Sequence, residues 1–134
     1  DTANLAARLE RANRVYGTQI LVSETTANAV RSGFKVREID TISVKGKTET
    51  TRVFELISAA GQLSEEMVRL RECYAQARQA YISQHWDLAE ATFRECLQLR
   101  PNDGPSRAFL QRIQALREDP PGNDWNGVWR FTEK

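Results

Sequence analysis

The feature that most constrains this chain is a change of hydrophobic period near residues 58–63, at the sequence SAAGQL. Before it, apolar residues alternate as they do in strands, between short helical stretches. After it they recur every three or four positions, as on one face of a helix. One layer of secondary structure cannot satisfy both periods, so the chain reads as α+β up to about residue 60 and all-helical beyond.

The first portion has its own punctuation. Leu5, Leu9, Ala12 and Tyr16 form a helical stripe that Gly17 can close, and TQILV (18–22) reads as a buried strand. Ser23 offers a hydroxyl as N-cap to a short helix, ETTANAVRSG, again ending on glycine. Phe34–Val44 and Thr51–Ile57 alternate as strands, with VKGKTET as the turn between them.

The second portion predicts three helices. Ser64 can cap one that runs to about Gln84, a second spans about Asp87–Leu99 before Pro101, and a third spans about Pro105–Arg117. Ala77, Trp86, Ala89, Phe93, Cys96 and Pro101 fall at or near the spacing of a tetratricopeptide repeat, with room for one full repeat and a covering third helix. A single repeat does not bury its own apolar face, so this part is expected to lean on the α+β part or on a second subunit. The last stretch, DPPGNDWNGVWRFTEK, is expected to be irregular. Its Trp125, Trp129 and Phe131 are costly to leave in water and should dock onto a groove of the same chain or of a partner. The expected organisation is therefore 1–60, 61–118 and a docking tail, 119–134.

Composition narrows the function. Nineteen basic and 18 acidic residues nearly cancel and are scattered, which argues against nucleic acid as a partner. No apolar run approaches the roughly 20 residues of a membrane span, and the first residues lack the order of an export signal. Cys73 and Cys96 are far apart without metal-site spacing, which fits buried thiols and a reducing cytoplasm. The chain opens without methionine inside a helical pattern, so a fragment or processed piece is expected.

Asn4 and Arg8 stand four residues apart on one helical face, about 40° from each other and roughly 100° from the apolar stripe. An arginine there can fork onto phosphate oxygens while the asparagine orients a hydroxyl or ring. Such a pair on a surface helix is ordinarily just solvated, so the spacing alone assigns nothing. Its setting adds more. DTANLAARLERANRVYGTQILVSETT resembles the segment that follows the catalytic hairpin of class III adenylate and guanylate cyclases, whose pattern is Asp-x-x-Asn-Leu-Ala-x-Arg-Leu-Glu followed by a Gly-x-x-Ile-Leu-Val-Ser strand. FKVREIDTISVKGKTETTRVFEL resembles that family's closing strands, and the likeness covers about residues 1–57.

The resemblance implies the C-terminal portion of a ferredoxin-like cyclase domain, helix-strand-helix-strand-strand. It implies that Asn4 orients the nucleotide through the ribose, that Arg8 stabilises charge building on the phosphates, and that Lys45 holds the terminal phosphates of ATP. From its position alone, Lys45 is a solvated turn lysine. The implied reaction joins the ribose 3′ hydroxyl to the α-phosphorus with loss of pyrophosphate, so positioning and charge stabilisation dominate. The family's Mg or Mn ions sit on a pair of aspartates upstream of this segment. Asp1 reads as a helix-start acid rather than one of them. The chain alone is therefore expected to be inactive, supplying one half of a site completed by a second cyclase domain, as in a homodimer. The bacterial parent would make cyclic AMP.

Two other readings stand beside this one: an interaction or regulatory module attached to a non-catalytic remnant, and a degenerate domain that binds nucleotide without turnover. His85, at a predicted helix–helix turn, reads as a surface or capping residue. The repeat followed by the Pro- and Trp-rich ending also looks like the C-terminal extension of certain bacterial multidomain cyclases.

Overall fold

The alternating stretches pair as a four-stranded sheet in the order β1-β3-β2-β4, where β1 is Leu21–Ser23, β2 Phe34–Val44, β3 Thr51–Ala59 and β4 Trp129–Phe131. The structure, a computed structural model, describes residues 20–44, 50–59 and 63–131. The chain is mixed α+β and divides into two compact units. One takes in Asp1–Leu63 together with Val128–Lys134, and the other is Ser64–Gly127. The helical unit is thus an insertion, in chain order, between β3 and β4 of the sheet unit.

In the sheet unit, β2 and β3 are antiparallel, β1 pairs with the middle of β3, and β4 runs parallel to the end of β2. Ser23 ends β1 and caps α1 (Glu24–Val30), its Oγ accepting from the Thr26 amide at 3.3 Å. That satisfies one of the amides a helix start leaves orphaned. Ala27 of α1 is buried with Val36 and Phe54, and Val22 and Leu56 pack around them.

The tail departs from expectation. Trp129–Phe131, predicted to be irregular, forms β4, with Ile42 opposite Trp129 and Val44 opposite Phe131. Two aromatics in three residues favour an extended, half-buried strand, and the end of β2 supplies the backbone partner.

In the helical unit, α2 (Glu65–Ile82), α3 (Trp86–Leu99) and α4 (Gly104–Glu118) follow one another through short turns. Ser64 caps α2, accepting from the Met67 amide at 3.1 Å. Asp103 caps α4, accepting from the Ser106 amide and, at 2.6 Å, from its hydroxyl, with Pro105 in the first turn. The α2 and α3 helices are antiparallel: Tyr81 meets Trp86 near the turn, Tyr74 meets Phe93 further along, and Met67 meets Arg100 at the open end. Phe109 of α4 closes the core, 4.8 Å from the Tyr81 ring, 5.0 Å from Phe93 and 5.9 Å from Tyr74. Ala77, Ala89, Phe93 and Cys96, singled out by their spacing, are all fully buried.

The turn between α2 and α3 comes two residues earlier than the pattern predicts. Gln84 adopts a left-handed φ of 62°, its amide reaches the Tyr81 carbonyl and the His85 amide reaches Ala80. That is a Schellman stop built on glutamine where glycine is usual. The Gln84 side chain compensates by donating to the Gly122 carbonyl at 2.9 Å.

Replacing Phe109 by Ala should cost about 3–5 kcal/mol, because three aromatic partners lose their shared neighbour. Denaturant unfolding followed by helical circular dichroism checks this. A loss under about 1 kcal/mol would mean that α4 is not the closing layer of this core.

Candidate functional site

Asn4, Arg8, Lys45 and Asp1 all lie outside the described residues. The structure instead describes what flanks Lys45. It follows Val44, the last residue of β2, while β3 begins at Thr51, which stands opposite Ile42.

The hairpin is irregular at two places. Its register shifts between Lys35 and Val36 and again between Glu38 and Asp40, the second leaving Ile39 as the extra residue of a bulge. The shift resets the alternation of side chains. Arg37, Asp40 and Ile42 then stand opposite Glu55, Val53 and Thr51 on one face, while Val36, Glu38 and Thr41 stand opposite Leu56, Phe54 and Arg52 on the other.

The two faces differ in chemistry. On the first, Arg37 and Glu55 form an ion pair at 2.7 Å, with a second contact from the Arg37 Nε at 3.1 Å. Both side chains are nearly inaccessible, at 2% and 9% exposure, so neither charge is available to a substrate without breaking the pair. Asp40 is fully buried on the same face, one carboxylate oxygen accepting from the Thr41 amide at 2.8 Å.

On the second face Arg52 bridges Glu38 of β2, at 3.0 Å, and Glu24 of α1. The Glu38 contact, more than any other, raises its already high pKa. Arg31 and Arg52 both lie over the Phe54 ring, at 5.5 and 5.4 Å from its centroid. These groups are partly exposed and satisfy one another, so they tie α1 to the hairpin rather than offering a free cation.

The remaining candidates are structural. Burial pushes the Cys73 thiol up, and pushes that of Cys96 up strongly, with Cys73 as a further cause. Cys73 spends its hydrogen on the Thr92 carbonyl at 3.4 Å. Protonated thiols of this kind are poor nucleophiles. His85 is exposed at the start of α3 and makes no side-chain cap. Among the described residues no group of three or more His, Cys, Asp or Glu side chains could hold a metal ion. No helix among the described residues is long and apolar enough to cross a membrane.

Sequence reasoning missed the Arg37–Glu55 pair. FKVREIDTISV breaks its alternation at Arg37–Glu38 and again at Asp40–Thr41, on either side of Ile39, and that change of phase was the available signal for a bulge. The pairing of Arg37 with Glu55 depends on the resulting register and was not legible.

Comparison with known proteins places the chain in relation to adenylate cyclases. Two relatives carry the relationship. The chain is 29% identical over 124 residues to "Adenylate cyclase, terminal-differentiation specific" of Dictyostelium discoideum, a match covering 87% of this chain and 6% of that protein. It is 33% identical over 57 residues to "Adenylate cyclase 1" of Rhizobium meliloti (strain 1021), covering 42% of this chain and 9% of that protein. The chain thus spans less than a tenth of the length of either relative. A match to 87% of 134 residues leaves about 17 uncovered, so the first necessarily runs through both units. No family model and no solved structure matches the chain.

Replacing Arg37 alone by Met should cost about 3–5 kcal/mol, because it leaves the Glu55 carboxylate buried and unpaired. Replacing both by Met should recover most of that loss. Thermal denaturation of the two variants checks this, and a double variant no more stable than the single one would contradict it.

Proposed function

We propose that this chain is the C-terminal part of the catalytic region of a class III adenylate cyclase, followed by a helical extension that resembles one tetratricopeptide repeat. The observation that carries the reading is the coincidence of the DTANLAARLE and VKGK segments with a relationship to two proteins named adenylate cyclase. Asn4 orients ATP through the ribose and Arg8 meets the charge that grows on the phosphates as the 3′ oxygen attacks. Lys45 holds the terminal phosphates. The metal-binding aspartates come from outside this chain, from the other cyclase domain of a homodimer.

This division of labour makes sense physically. Phosphoryl transfer asks the protein mainly to position its reactants and to neutralise negative charge. Arginine suits the developing charge because its fork matches two phosphate oxygens, whereas lysine acts as a point charge on the leaving pyrophosphate.

A second reading has an observation of its own. Because the Dictyostelium match extends through the helical unit, that unit travels with the cyclase segment in at least one relative. This supports a regulatory or protein-binding role for the helices alongside catalysis.

In the full-length enzyme, Arg8→Ala should lower cyclic AMP production from ATP on the order of a hundredfold or more. Lys45→Ala should raise the KM for ATP more than it lowers kcat. Wild-type rates from Arg8→Ala would remove the proposed role of that arginine.

A further inference from the structure

We infer that Cys73 and Cys96 are a disulfide-forming pair, a covalent modification site at which a peroxide oxidant staples α2 to α3.

The two helices keep a constant register. Seven-residue steps back along α2, from Tyr81 to Tyr74 to Met67, match seven-residue steps forward along α3, from Trp86 to Phe93 to Arg100. Seven residues are about two turns, so the same faces stay in contact along the pair. Cys73 precedes Tyr74, and Thr92 and Cys96 flank Phe93 on its own side of α3, four residues apart. The register therefore sets Cys73 beside the Thr92–Cys96 turn. Its sulfur lies 3.4 Å from the Thr92 carbonyl and 3.9 Å from a Glu95 carboxylate oxygen, and it is in hydrogen-bond contact with the Cys96 thiol. These are the two cysteines of the chain, brought together from different helices.

The two thiols differ in access and in charge. Cys96 is fully buried, whereas Cys73 is half-buried, so a peroxide meets Cys73 first. Burial pushes both thiols up. The hydrogen bond from Cys96 holds Cys73 back, while Cys73 raises Cys96 further, so Cys73 is the first to lose its proton.

The chemistry then follows that order. The Cys73 thiolate attacks one oxygen of hydrogen peroxide and the O–O bond breaks. The departing hydroxide takes up a proton as water, and Cys73 is left as a sulfenic acid. The Cys96 sulfur gives up its proton and attacks the Cys73 sulfur, the S–O bond breaks, and a second water leaves. Two thiols and one peroxide thus give one disulfide and two waters, and a small thiol reductant reverses the bond. Because both thiols are raised, thiolate is scarce at neutral pH, and the pair answers sustained oxidant rather than a brief pulse. The bond closes a loop through the α2–α3 turn. That removes freedom from the unfolded chain and makes the helix pair harder to separate.

The test treats the full chain with hydrogen peroxide, blocks remaining thiols with N-ethylmaleimide, and maps the products by proteolysis and mass spectrometry. The expected product is an intramolecular Cys73–Cys96 link, two hydrogens lighter than the reduced peptides and reversed by dithiothreitol. Melting followed by helical circular dichroism should shift upward by on the order of 10 °C once the link is present. Cys96→Ala keeps a small apolar side chain in the core. It should stop at a Cys73 sulfenic acid, trapped by dimedone, with no upward shift after oxidation. Cys73→Ala should leave Cys96 unmodified while the chain is folded. A folded chain without the link after prolonged oxidation would overturn the pair. So would a link that forms only in urea, one that joins two chains instead, or one that lowers the melting temperature.

Discussion

Everything described in the sheet unit depends on the register of β2 against β3. The bulge at Ile39 puts Arg37 and Glu55 on one face as a buried ion pair and leaves Phe54, Val36 and Leu56 on the other for α1. A slip of one residue would set Arg37 and Glu55 on opposite faces and bury two unpaired charges. Such a pair stabilises little by itself, but it penalises the wrong register heavily. The described pairing of β2 with β3 runs in this register to Ile42 opposite Thr51.

The helical unit relies on a different device. Its core is a chain of edge-on and stacked rings, Tyr74, Phe93, Phe109 and Tyr81, extended at the tip by Trp86 and Trp125. Small residues such as Ala77 and Ala89 are buried among these helices. Arg117 ties the end of α4 to the start of α3 through Asp87 and Glu90, at 2.8 and 2.7 Å. The Asp87 side chain is almost wholly exposed and Glu90 and Arg117 are partly so, so these pairs choose a packing more than they stabilise it. The aromatic ladder supplies most of the cohesion.

Much of this was legible in the sequence, and the exceptions share a cause. Ser23 and Ser64 announce their helices because a cap is a local event within four residues, and both caps form. The period change separates α+β from helical segments for the same reason. The register of β2 on β3, the left-handed Gln84 and the strand at Trp129 were invisible because each depends on a partner far away in sequence: β3 for the register, the Gly122 carbonyl for Gln84, and the end of β2 for the tail. The proposed site residues Asn4, Arg8 and Lys45 were legible only through resemblance, since an i, i+4 polar pair and a turn lysine carry no geometry of their own.

The central claim is that this chain contributes the Asn–Arg–Lys half of a shared cyclase site, with the metal-binding half supplied across a dimer. Subunit complementation tests it most directly. The full-length Arg8→Ala enzyme and a second variant stripped of its metal-binding aspartates are each assayed for cyclic AMP, then co-expressed and assayed together. The account predicts that each alone is nearly inactive and that the mixture regains a substantial fraction of wild-type activity, because the mixed dimer holds one complete site. A mixture as inactive as its separate members would contradict it.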